Sequence, residues 1–156
     1  VKLSNKGRYG LRAMFDIAFH NRGRATQIKD IAERQAIPPR FLEQIFQDLK
    51  KAGLVTSKRG PRGGYQLACA PAEVRLGDIL RALEGPVALN DRGRPGRGAP
   101  EAGRDGTGAA VMAETLSELE RHIEELFDER TIEDLCARAE ALGRRNKPPR
   151  SYNYVI

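Results

Sequence analysis

Lys58, Arg59 and Arg62 fall within the run Gly-Leu-Val-Thr-Ser-Lys-Arg-Gly-Pro-Arg-Gly-Gly-Tyr-Gln-Leu at 53–67. Cations set among glycines do no covalent chemistry; they are equipped to bind an anionic surface. The branched and aromatic residues at 54–57 and 65–67 predict two paired strands, and the glycines between them let the chain turn and bring its backbone close to phosphates. An ordinary surface hairpin more often closes on an Asn-Gly type of turn with mixed charge, so a purely cationic tip points to a polyanion. Catalytic constellations are missing from the sequence. There is no Ser-His-Asp or Cys-His arrangement, and Gly60-Pro61-Arg62-Gly63-Gly64 lacks the Gly-Lys-Ser/Thr ending of a phosphate loop. No enzyme is expected, and His20 and His122 are too isolated to suggest zinc.

The charge is distributed as this tip requires. Of the formal +6 over 156 residues, positions 1–75 hold 15 Lys and Arg against 6 Asp and Glu, and positions 76–156 hold 12 against 15. A basic half joined to a mildly acidic half predicts that one part meets a polyanion and the other meets protein. No apolar run approaches the roughly eighteen residues a membrane span needs. The N-terminal residues lack the pattern of a secretory signal, and Cys69 and Cys136 are the only cysteines, so a soluble, cytoplasmic protein is expected.

The elements that must position the cations follow from apolar spacing. Tyr9, Leu11, Ala13, Met14, Ile17, Ala18 and Phe19 predict a first helix over 6–21. Thr26 is a candidate cap for a short helix over 27–35. After a tight connection at Ala36 and Ile37, Pro38 and Pro39 suit the entry of a third helix. Its apolar stripe is Phe41, Leu42, Ile45, Phe46 and Leu49, leaving Arg40, Glu43, Gln44, Gln47 and Lys50 outside, and Gly53 closes it. Two helices joined by a turn, with a cationic hairpin at the exit of the second, predict a winged helix-turn-helix. Val74 suggests a short further strand, and 76–84 a fourth helix ended by Gly85-Pro86. The Gly-, Pro- and Arg-rich stretch 90–108 has no periodicity and reads as a flexible loop. Over 111–127, Val111, Met112, Leu116, Leu119, Ile123, Leu126 and Phe127 recur at threes and fours, the stripe of a dimerisation helix. Thr131 opens a last helix running through Leu135 and Ala139 to Leu142. The fold class is thus mainly α with a small β-hairpin wing. Its expected parts are a DNA-binding domain at 1–86, a flexible loop at 87–110, dimerisation helices at 111–143 and a tail at 144–156.

Four stretches carry a more specific likeness: 2–14, 41–46, 53–65 and 76–85, the last reading Leu-Gly-Asp-Ile-Leu-Arg-Ala-Leu-Glu-Gly. In this order they resemble the Rrf2 family of bacterial transcriptional regulators, which includes the IscR, NsrR and CymR types. The resemblance implies a homodimer in which the long helix crosses its partner, with two heads on a two-fold symmetric, double-stranded DNA operator. It also implies that Arg40, Glu43 and Gln44 face base edges in the major groove and that Arg59 enters the minor groove. Lys58, Arg62, the backbone of Gly63 and Gly64, and Lys6, Arg8 and Tyr9 would meet the phosphate backbone.

Many family members hold an iron-sulfur cluster on three clustered cysteines between the fourth helix and the long helix. This chain has no cysteine at 86–110 and in that respect resembles the cluster-free CymR type, so no cofactor is expected. Cys69 reads as a small packed residue near the strand end and Cys136 as a core residue of the last helix. The sequence closes on Ser-Tyr-Asn-Tyr-Val-Ile after Pro148-Pro149. This ending resembles the tail of serine acetyltransferases, whose terminal Ile carboxylate enters O-acetylserine sulfhydrylase, the cysteine synthase. The CymR type is associated with that enzyme as a corepressor. Tyr154, Val155 and Ile156 are therefore candidate partner-binding residues, and the expected function is a repressor of cysteine or sulfur metabolism genes. The alternative is a regulator of the same family that binds a small effector beside the fourth helix and has no enzyme partner.

Overall fold

The computed structural model describes residues 2–22, 24–89 and 104–144. In chain order it comprises α1 (Asn5–Asn21), α2 (Ile28–Gln35), α3 (Pro39–Lys51), β1 (Val55–Lys58), β2 (Gly64–Leu67), α4 (Leu76–Glu84), α5 (Thr107–Asp128) and α6 (Ile132–Ala141). This is the expected mainly helical chain with one small antiparallel wing. The wing register pairs Val55 with Leu67 and Lys58 with Gly64.

Local signals explain most boundaries. The Ser4 hydroxyl accepts the Gly7 N–H and starts α1. Ala36 takes a left-handed conformation (φ 51°) and, with Ile37, hands two amides back to Ala32, which makes the turn between α2 and α3 short. Pro39 occupies the first turn of α3, where a missing N–H costs little. The inner faces of α1, α2 and α3 then meet: Met14, Ile17, Ile31, Leu42, Ile45, Phe46 and Leu49 are fully buried. Each such side chain contributes about 1.5–3 kcal/mol of transfer free energy.

The last helix returns to this core. Thr131 and Asp134 form a reciprocal capping box at its start. Ile132 is fully buried among the core residues of the head and donates its N–H to the Val74 carbonyl at 2.9 Å. Leu76 N–H donates to the Arg130 carbonyl at 2.9 Å, and Arg81 reaches both Asp78 and Asp128. The end of α5 is thereby held against α4.

Several expectations need correction. Thr26 does not cap α2: Gln27 holds the cap position without a side-chain bond to the first turn of the helix, and Thr26 is buried in a bridge to Tyr65. Val74 is no strand; it follows a 3-10 turn (Pro71–Glu73), and the neighbouring Arg75 makes an isolated bridge with Thr131. The long helix begins at Thr107, so 107–110 of the loop expected at 87–110 belong to the helix. Most of the loop expected at 90–108 lies outside the described residues. Nearer its root, Val87 and Leu89 donate their amides to Glu124 and Glu120 of α5. Phe41 is 38% exposed because it projects sideways onto the edge of Tyr9. Leu142 lies beyond the last turn of α6 and is exposed. Cys69 is exposed as well, since the chain leaves the core after Leu67, whereas Cys136 is half-buried.

Candidate nucleic-acid interface

The outer face of α3 is set by what the inner face buries. With Leu42, Ile45, Phe46 and Leu49 turned into the core, Arg40, Glu43, Gln44 and Gln47 recur at threes and fours on the opposite side, and all four are exposed. Together they offer a guanidinium fork, a carboxylate acceptor and two amides, the donor and acceptor types that match base edges.

Two contacts place the wing beside this helix. The rings of Phe46 in α3 and Tyr65 in β2 stack with centroids 4.6 Å apart. At the helix end, Lys50 Nζ donates to Ser57 Oγ of β1 at 2.6 Å. A third contact comes from the segment before α2, where Thr26 and Tyr65 exchange both backbone hydrogen bonds at 2.8 Å. Gly64 lies against this bridge with φ 138°, and a β-carbon on it would sit 2.2 Å from the Thr26 carbonyl oxygen. Thr26 gave little sequence signal, because one branched residue between two helices is too short to show strand alternation.

Beyond the strands, Lys58, Arg59 and Arg62 are all exposed at the tip. Gly63 is buried and its N–H donates to the Gly60 carbonyl at 2.9 Å, so what Gly63 supplies is the closure of the turn. On α1, Lys6 lies 2.7 Å from Asp48 of α3, and Tyr9 meets Phe41 edge-on at 5.5 Å. The start of α1 is thus tied to α3 from both ends. The Arg8 guanidinium is exposed and donates to Asn5 Oδ1. The structure therefore gathers Lys6 and Tyr9 around α3 and sets the wing against the same helix. Tyr154, Val155 and Ile156 lie outside the described residues.

The comparisons agree with this geometry. A model of the family described as Rrf2, iron-dependent transcriptional regulator, matches residues 3–138. The HTH-type transcriptional regulator IscR of Aliivibrio salmonicida is 46% identical over 87 residues, which is 56% of this chain and 52% of that one. Among solved structures, that of CymR, the global cysteine regulator of B. subtilis, aligns with a TM-score of 0.67 at 34% identity, over 88% of this chain and 98% of that one. IscR of T. potens aligns with a TM-score of 0.69 at 36% identity, over 91% and 90%. The chain spans about half the length of the curated relatives it matches.

Iron in the family description finds no fitting cysteine set in this chain. A cluster held by clustered thiolates needs more than two of them, and the chain has two cysteines, one exposed just after β2 and one half-buried in α6. Burial pushes the Cys136 thiol up to about 11, with Glu140 and Glu133 adding to the shift, which disfavours the thiolate a metal needs. Among the described residues no three His, Cys, Asp or Glu side chains gather as a metal site.

Proposed function

Because this chain belongs to the Rrf2 family of transcriptional regulators, we propose that it is a dimeric repressor that binds a two-fold symmetric DNA operator. In this reading α3 enters the major groove. Arg40 bonds guanine, Glu43 accepts from cytosine and Gln44 pairs with adenine, while the wing lays Arg59 into the adjoining minor groove. Lys58, Arg62, Lys6, Arg8, Tyr9 and the Gly64 backbone fix the register on phosphates, while Gly63, whose N–H is spent on the Gly60 carbonyl, shapes the turn that presents them. Occupation of the operator by the two heads excludes the transcription machinery. The observation that supports the reading is the Phe46–Tyr65 stack, which sets the base of the cationic wing against α3.

The second protomer is supported by α5, where Val111, Met112, Leu119 and Leu126 are 45–63% exposed and no residue is buried. Four apolar side chains in water on one helix ask for a cover, and a second copy of the same helix supplies one of matching chemistry. The target genes we assign are those of cysteine and sulfur metabolism. Their support is the likeness to CymR, the shortage of cysteines for a cluster, and the aromatic-aliphatic run Tyr154, Val155 and Ile156, of a type suited to an apolar peptide slot on a cysteine synthase.

The test begins with enrichment of duplexes from random-sequence DNA on the full chain. A palindromic consensus is expected, and Arg59→Ala should weaken binding to it by about 1–3 kcal/mol in a gel shift. Failure to enrich any duplex rejects the DNA reading, and an unchanged Arg59→Ala rejects the wing assignment. Deleting Ile156 should abolish capture of O-acetylserine sulfhydrylase without altering operator affinity; undiminished capture removes the enzyme from the proposal.

A further inference from the structure

The wing tip is tethered to the helix-turn-helix by a residue that none of the roles above includes. Gln27, the residue before α2, donates from Nε2 to the Pro61 carbonyl at 3.1 Å. Pro61 lies between Arg59 and Arg62, and residues 59–62 are all exposed, with Gly60 at φ 108°. Such a tip has little burial to hold it. The preceding residue, Thr26, pairs with Tyr65, one position from the tip-side end of β2, so two consecutive residues hold the distal half of the hairpin.

We propose that Gln27 is a positioning residue for DNA recognition: by holding the Pro61 carbonyl it fixes the bearing of Arg59 and Arg62 relative to α3. The proposal rests on the DNA-binding reading and adds a residue to it. Its physical basis is pre-organisation. Arginines on a loose turn lose conformational freedom when they bind, and a tether present in the free protein has already removed part of that cost. Gln27 thus acts through the two arginines and needs no contact with DNA itself.

Gln27→Asn separates this role from a structural one. Asn is one methylene shorter and cannot span to Pro61, yet it is a better helix cap than Gln, so α2 is not weakened. In the DNA-free full-length protein, amide exchange over 58–64 should quicken while the thermal midpoint holds or rises. Affinity for the enriched duplex should fall about fivefold, the worth of one ordinary hydrogen bond. In an Arg59→Ala/Arg62→Ala background the same change should have no effect, because nothing remains to be positioned. Unchanged exchange at the tip overturns the tether, and an equal loss of affinity in both backgrounds overturns the positioning role, since Gln27 would then meet DNA directly. If no duplex is enriched by the wild-type chain, the DNA reading fails and the positioning role with it, while the exchange measurement still decides whether the tether exists.

Discussion

Phe46 of α3 and Tyr65 of β2 lie ring on ring, with centroids 4.6 Å apart and planes 13° from parallel. Phe46 is fully buried, so the stack joins the inner side of α3 to β2 of the wing. The surface proposed to meet a groove is therefore built over the core that holds this stack.

Phe46→Ala should destabilise the head by about 3–5 kcal/mol, the usual range for truncating a buried aromatic ring. Phe46→Leu should cost less, because part of the volume is kept, yet it removes the flat partner for Tyr65. Urea unfolding would give the stability, and gel shift at a temperature where the variant is folded would give the affinity. Weakened DNA binding by a folded Phe46→Leu is the expected outcome.

The fully buried Asp16 accepts from Arg34 at 3.0 and 2.5 Å and from Gln35 Nε2 at 2.8 Å, tying α1 to α2. Arg34 is one-third exposed and Asp16 is not, so the two partners are unequal. Arg34→Met leaves a buried carboxylate without its counter-charge and should cost about 3 kcal/mol. Adding Asp16→Asn should recover part of that loss. Chemical denaturation of the two single variants and the double variant tests the asymmetry, and a double variant less stable than Arg34→Met alone would count against it.

Lys6 donates to Asp48 and holds that carboxylate below the ordinary aspartate range, with Lys51 adding a weaker attraction. A carboxylate whose folded pKa is depressed contributes stability that is fully present above its unfolded pKa of about 3.9. That stability is lost as the pH falls through the folded value. The gap in unfolding midpoint between wild type and Asp48→Asn should accordingly be widest near neutral pH and close as the pH falls through the depressed folded value. A gap that widens on acidification would contradict the pair.

Leu119 sits seven residues from both Met112 and Leu126 on α5, and all three are exposed. A charge at the centre of this row has nowhere to go in a helix pair. Leu119→Asp should leave the helical content of each chain unchanged and convert the proposed dimer to monomer in sedimentation. Operator affinity should fall with it, since two linked half-sites bind far more tightly than one.

The two thiols should differ in reach. Cys69 is exposed and Cys136 is half-buried with its pKa pushed up to about 11. Alkylation of the native protein near pH 7, followed by peptide mass spectrometry, should label Cys69 first and Cys136 only slowly or after unfolding. Incubation with iron and sulfide should yield no stoichiometric cluster per protomer. A full visible cluster spectrum would show that ligands beyond these two thiols had been recruited.

Much of the architecture could be read directly from residue patterns, because the signals are local. Apolar spacing placed α3 and α4 to within a residue, Pro39 and Gly85 marked a start and a stop, and the cations at 58–62 identified the wing. Tertiary structure decided the rest. That Thr26 pairs with Tyr65, that Gln27 reaches Pro61, and that Ile132 joins the core of the head are contacts across 34 residues or more. Sequence periodicity reports which side of an element is apolar, since that depends on neighbours three or four residues away. It carries no information about which distant element covers that side, because many partners bury the same area equally well; the choice among them is made by hydrogen bonds and packing that exist only once the chain has closed on itself.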